Sequence, residues 1–230
     1  MRLRPWDRRI GGYIRSAPFT YVFLFVLLIT TWVYQTSRPS LARSLLLERS
    51  TNLHQLEQDP MRVLVASAFW LSSSWELLVW LILFSLVLAP VERWIGSART
   101  ALVFALGHAG ATLFTAAGLW LALRYEAVGT YVTHVIDVGV SYGFFAVAAV
   151  LALRLSGRRR VLYLAVLIGY LGVTAGVIHD FTDFGHLAAF AIGLALAPLV
   201  SRGRARPDTR VPQCLPSSKP TYVGADTTPP

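Results

Sequence analysis

A few side chains in this sequence could do chemistry in nonpolar surroundings. Ser141 stands in Gly139-Val140-Ser141-Tyr142-Gly143, and His186 stands in Gly185-His186-Leu187-Ala188-Ala189, with Gly193 a little further on. A serine hydroxyl becomes a nucleophile when an imidazole takes its proton, which requires oxygen and nitrogen to approach within ~3 Å. A second cluster competes for His186. His179, Asp183 and His186 are spaced i, i+4 and i+7, with Asp180 beside them, and on one helix face such a set could chelate a divalent ion. The cluster also sits at a turn between two apolar runs, where polar residues are expected anyway, so no metal and no cofactor is assigned. Asp183 could orient the His186 imidazole or simply cap its helix. His134, Asp137 and Ser141 line up along one helix face, but the rise from His134 to Ser141 is about 10 Å, too far for a relay. His108 lies deepest in an apolar run and reads as a packing or helix-bonding residue.

The elements that must hold these groups are apolar. Of the 230 residues, 55% are hydrophobic and 14% charged, and mean hydropathy is +0.54. That excludes a disordered chain and argues against a soluble globular domain. The apolar residues fall in runs long enough to span a bilayer. Six spans are predicted at 18–35, 65–91, 100–123, 137–155, 161–178 and 184–200. In the long second run, Met61 to Ser74 is a candidate re-entrant or interfacial piece before a span starting near Trp75. Residues 36–60 form a polar loop with apolar stretches such as Leu45-Leu46-Leu47, suited to lying on the membrane surface.

The expected organisation is a basic tail over 1–17, a membrane domain over 18–200 and a disordered tail over 201–230 rich in Pro, Thr, Ser and Arg. Arg2, Arg4, Arg8, Arg9 and Arg15 precede the first run, and Ser40-Leu41-Ala42 is a passable cleavage site, but the run is long for a signal peptide. It is therefore expected to remain as a span.

Charge sets the orientation. Net charge is +9, and the basic residues sit between the apolar runs. With the N-terminus in the cytoplasm, only Arg38, Arg43, Arg49, Arg62 and Arg124 fall outside, and the rest of the 21 basic residues fall inside. Both termini are then cytoplasmic, and the positive charge serves topology and lipid contact, with no nucleic-acid partner. The single cysteine, Cys214, excludes an internal disulfide and a thiolate zinc site.

With that orientation, spans four and six both run from outside to inside. Ser141 lies about one turn below the outer surface, and His186 lies less than a turn below it. His186, Ala189, Gly193 and Ala197 form one stripe that is small apart from the histidine; Ser141, Ala148 and Ala152 form another, interrupted by Phe145. Small residues let membrane helices approach closely. The same stripe is equally consistent with packing alone, with His186 bonded to a backbone carbonyl.

In three places the sequence resembles the rhomboid family of six-helix intramembrane serine proteases. Val91-Glu92-Arg93-Trp94-Ile95-Gly96-Ser97 is similar to its E-x-x-x-G segment. Gly139 to Gly143 is similar to its G-x-S-G nucleophile motif, and Gly185 to Gly193 to the H-x-x-G-x-x-x-G stretch that bears the general base. The resemblance covers about 62 to 200. It implies an all-α, polytopic six-helix bundle in a cell membrane, probed by transmembrane segments of other membrane proteins. It also implies a Ser141–His186 dyad, with Gly139, Tyr142, Gly143, Asp183 and Gly193 supporting it. The departures are specific. The H-x-x-x-N stretch that helps stabilise the oxyanion would fall at Trp75 to Trp80, which reads Trp-Glu-Leu-Leu-Val-Trp. Losing one such donor commonly costs about 10²–10³ in rate. The backbone amide of Ser141, His108 or Tyr142 is a possible substitute. Tyr142 replaces the glycine after the nucleophile, Ala189 replaces the first glycine after the histidine, and the Trp-Arg pair of the first loop is missing. The expected function is an intramembrane serine endopeptidase. The alternative is an inactive relative that binds membrane proteins as a chaperone or adaptor.

Overall fold

The computed structural model describes residues 11–71, 73–130, 133, 137–178 and 181–203. Their regular structure is all helical. The chain enters with α1 (Pro18–Thr36), and a connecting segment follows with α2 (Pro39–Arg49), α3 (Leu53–Gln58) and α4 (Pro60–Ala66), which ends in a 3₁₀ turn, Ser67–Phe69. Then come α5 (Ser74–Ile95), α6 (Ser97–Arg124), α7 (Ser141–Arg154), α8 (Gly157–Val173, continued by a wide turn to Ile178) and α9 (Phe181–Ser201). Five of these helices, α1, α5, α6, α8 and α9, are long and apolar enough to cross a membrane.

The second apolar run, expected over 65–91, is broken. The chain leaves helix after Phe69 and re-enters it at Ser74, so the span covers Ser74–Ile95 and the preceding piece folds separately. The fourth element is also shorter than its predicted 137–155. Residues 137–140 are not in the helix, so the alignment of Asp137 with Ser141 on one helix face does not occur. The loop expected over 36–60 is largely helical, with Leu46 and Leu53 buried.

Apolar side chains face both the core and the outside of the bundle, as a lipid-facing protein requires. α1 turns Phe23, Leu24 and Leu27 inward and leaves Val22, Phe25, Leu28 and Trp32 exposed. In contrast α7 is buried at every residue from Tyr142 to Ala152 and forms the axis of the bundle, packed tightly between α6 and α9. Gly107 of α6 and Gly193 of α9 both lie against Ala146 of α7. This is how small residues allow close backbone contact where dispersion must hold helices together. Phe23, Phe69, Phe84, Phe104 and Phe144 tie α1, α4, α5, α6 and α7 into one aromatic core, with Phe23 and Phe69 stacked at 4.6 Å.

Glu92 explains the E-x-x-x-G segment. Its buried carboxylate accepts hydrogen bonds from the Phe19 and Thr20 N–H groups (2.7 and 2.8 Å), from Thr20 Oγ1 (2.7 Å) and from Ser97 Oγ (2.6 Å). It therefore caps α1, whose first amides have no partners within the helix, while fixing the start of α6. Gly96, at φ 93°, makes the turn between α5 and α6. In α5 the wide turn Phe84–Leu88 precedes Pro90, which has no N–H to offer Ser85; the Tyr13 hydroxyl donates to the Ser85 carbonyl instead, at 2.8 Å.

Candidate functional site

The site begins at the N-terminus of α7. At 14 residues and 1.5 Å per residue, α7 is roughly 21 Å long, against a hydrocarbon core of about 30 Å. It is shorter than the spanning helices around it. Ser141 is its first residue and is half-buried.

The connecting segment between α1 and α5 holds the stretch of chain leading into α7. Asp137 N–H donates to Ser50 Oγ at 2.7 Å, and the Asp137 carbonyl accepts from Thr51 N–H at 2.8 Å. Thr51 Oγ1 also donates to the Asp137 carboxylate at 2.8 Å. Gly139 N–H donates to the Ser67 carbonyl at 3.0 Å. Gly139 has φ 138° with open space where a Cβ would lie, so glycine is required there by backbone conformation and not by crowding.

His186 lies in the second turn of α9, half-buried. Its ring packs on Phe145 at 4.7 Å and meets Tyr142 edge-on at 5.4 Å, so α7 sets its position from one side. Behind it, Asp183 Oδ1 is 3.8 Å from His186 Nδ1. The stripe expected on α9 exists: Ala189, Gly193 and Ala197 are buried. Tyr142 fits at the position after Ser141 because of Gly185: a Cβ at 185 would strike the Tyr142 ring and Thr115 Oγ1. The Tyr142 hydroxyl donates to Asp137 at 3.3 Å. Gly143 lies under the Phe104 ring, which a side chain there would displace.

Ser141 and His186 line the same cavity, about 610 Å³ in volume, between α5, α7, α8 and α9. Its walls include Trp75, Glu76, Trp80, Phe144, Phe145, Tyr163 and Tyr170. Trp75, Val166 and Tyr170 at its rim are exposed on the bundle's outer wall. The Trp75 to Trp80 segment therefore does flank the site, bringing indoles and a carboxylate. Ser141 also borders a small polar pocket with Thr51, Ser67, His108, Asp137 and Tyr142.

Sequence reading missed Ser67, which is buried and lies 3.0 Å through Oγ from His108 Nε2. No local pattern signals a contact between residues 41 positions apart. It also missed Glu76 as a cavity residue, although a lone acid in an apolar run was visible. His134, His179 and Asp180 lie outside the described residues, as do most of both tails. Among the described residues, no group of three His, Cys, Asp or Glu could hold a metal ion.

A short, buried helix carrying a serine and a spanning helix carrying a histidine both line one cavity of this polytopic membrane protein. The chain matches the model of the rhomboid-like protein family over residues 12–207, and it belongs to that family. No curated protein and no solved structure matches it.

Proposed function

We propose that this rhomboid-like membrane protein is an intramembrane serine endopeptidase that uses Ser141 as nucleophile and His186 as general base. The observation that carries this reading is that the two residues, from different helices, line one cavity at the bundle's outer wall. A transmembrane segment reaching that cavity presents its backbone to Ser141. His186 takes the hydroxyl proton as the oxygen attacks the peptide carbonyl, then passes it to the leaving amine. Water then hydrolyses the acyl-enzyme. Negative charge developing on the carbonyl oxygen is met by the first amides of α7, since the first bond into the helix runs from Phe144 N–H to the Val140 carbonyl. Asp183 stands behind the imidazole to stabilise its protonated form. Both termini face the cytoplasm of a bacterial plasma membrane, following the charge asymmetry of the loops.

The test is a serine-directed fluorophosphonate applied to the purified protein alongside single-span substrates. Wild type labels and cleaves; Ser141→Ala and His186→Ala do neither. Labelling that persists in Ser141→Ala refutes the dyad.

A second reading is favoured by one observation. Where an amide or imidazole donor would aid the oxyanion, α5 brings Trp75, Glu76 and Trp80, and a carboxylate repels negative charge. On that reading the protein binds membrane segments without cutting them. Cells carrying Ser141→Ala would then resemble wild type, whereas cells carrying Gly193→Leu, which breaks the α7–α9 contact, would not.

A further inference from the structure

A buried threonine in a membrane helix commonly gives its hydroxyl to the carbonyl one turn back. In α6, Thr100 Oγ1 donates to the Gly96 carbonyl at 3.0 Å, and Thr115 Oγ1 donates to the Ala111 carbonyl at 2.9 Å. Thr112, on the same helix, breaks the pattern. It is 1% exposed, and its Oγ1 has no hydrogen-bond partner among the described residues. Buried polar groups are paired in the great majority of cases, and more so where lipid surrounds the bundle. A hydroxyl that forgoes its own helix therefore points to a ligand.

Thr112 lines a small cavity between α6, the start of α3 and Phe181 at the start of α9. The cavity measures about 10 Å³, which is the least room that holds one water and too little for a larger molecule. An apolar cavity of that size stays dry. This one has Thr51, Asn52, Thr115 and Asp137 in its walls beside Thr112.

We propose that the cavity is a binding site for one water molecule, which links the Thr112 hydroxyl to the Asp137 carboxylate. In a space for a single molecule the occupant touches every wall, so both groups are within its reach. A carboxylate accepts about four hydrogen bonds. Asp137 Oδ2 takes one from Thr51 Oγ1 at 2.8 Å and one from the Tyr142 hydroxyl at 3.3 Å. The water donates to this carboxylate and accepts from Thr112 Oγ1. The Asn52 amide, whose Oδ1 accepts from Gln55 N–H at 2.9 Å, offers a further donor. Three partners are typical of a buried water. A metal ion is the poorer occupant, because the cavity has one carboxylate and two hydroxyls already draw on it. The water thereby joins α6 to the chain leading into α7, which Ser50, Thr51 and Ser67 hold by direct bonds. The site does not depend on Ser141 being reactive.

The experiment crystallises the full chain from a lipid phase as wild type and as Thr112→Val, and melts both in detergent. Wild type is expected to show one water peak about 2.7–3.0 Å from both Thr112 Oγ1 and an Asp137 carboxylate oxygen. The peak is expected to be lost in Thr112→Val. Valine matches the shape of threonine without its hydroxyl, so the sign of the melting shift discriminates. Removing an unpaired buried hydroxyl leaves stability unchanged or raises it, whereas breaking a bonded network lowers it. The midpoint is expected to fall by about 2–4 °C. No peak in wild type overturns the proposal, and that result needs no variant to fold. A peak that misses Asp137, one that survives in Thr112→Val, or one that appears only with sodium in the buffer also overturns it, as does an unchanged or higher melting point.

Discussion

Gly193 lies so close to Ala146 that a Cβ at position 193 would overlap the Ala146 carbonyl and its backbone. The obstacle is main chain, which cannot rotate away, so α9 would have to move off α7. Because Ser141 is carried by α7 and His186 by α9, that movement separates them. Gly193→Ala is expected to destabilise the bundle by about 1–3 kcal/mol, and Gly193→Leu by more. Gly118→Ala, at a position with open space, serves as control and should change little. Thermal unfolding in detergent checks both.

Glu92 receives two backbone and two hydroxyl donors while almost wholly buried, so its removal strands several groups at once. Hydrogen bonds to a charged group contribute about 1.5–3 kcal/mol each, and buried donors left unpaired cost a further amount of similar size. Glu92→Ala should therefore be among the most damaging single changes in the molecule, freeing α1 from α5 and α6. Glu92→Gln keeps one acceptor oxygen and turns an NH₂ toward existing donors, so an intermediate loss is expected. Limited proteolysis near residues 36–38 would report loosening of α1.

Much of this architecture was open to sequence reading because lipid imposes long apolar runs. Glu92, Gly96, Gly139 and Gly193 also stood in recognisable company, and each has a definite job in the fold. The break in the second run was also in view, since a separate piece from Met61 to Ser74 before a span near Trp75 was expected, and Trp70 and Leu71 are buried but not helical. The start of α7 was hidden. Val138, Gly139 and Val140 extend the apolar pattern ahead of α7, although the connecting segment holds that stretch in a non-helical path through Ser50, Thr51 and Ser67. Periodicity cannot report a helix start that is set by contacts from residues tens of positions away.

The Ser67–His108 contact anchors that connecting segment to α6. Ser67→Ala leaves a buried imidazole nitrogen without its hydroxyl, at an expected cost of about 1–3 kcal/mol. His108→Leu replaces the polar partner with an apolar one and strands the Ser67 hydroxyl. The double variant removes both polar groups and should lose less than the sum of the two. A double-mutant cycle on unfolding free energy measures that coupling. Because Ser67 also holds Gly139 through its carbonyl, which Ser67→Ala retains, fluorophosphonate labelling of Ser141 should survive in the single variant.

On the proposed mechanism Asp183 would act as a positioning residue for His186. Its Oδ1 stands 3.8 Å from His186 Nδ1, and its Oδ2 is buried without a hydrogen bond among the described residues. In the proposed mechanism, the imidazolium formed when His186 takes the Ser141 proton would lie beside this carboxylate. A unit charge at that distance in a partly buried setting stabilises the cation by about 1–2 kcal/mol, discounted for the solvent that still reaches both side chains. Asp183→Asn removes the charge and keeps the shape. It should slow fluorophosphonate labelling of Ser141 roughly tenfold, while leaving the unfolding temperature near that of wild type. Asp183→Glu should recover part of the rate. The affinity for a single-span peptide, read by crosslinking, should not move, because Asp183 does not line the cavity. A variant that labels at the wild-type rate but melts earlier would make Asp183 a helix-terminus charge only, since a residue acting on the reacting imidazole must affect the rate before it affects the fold.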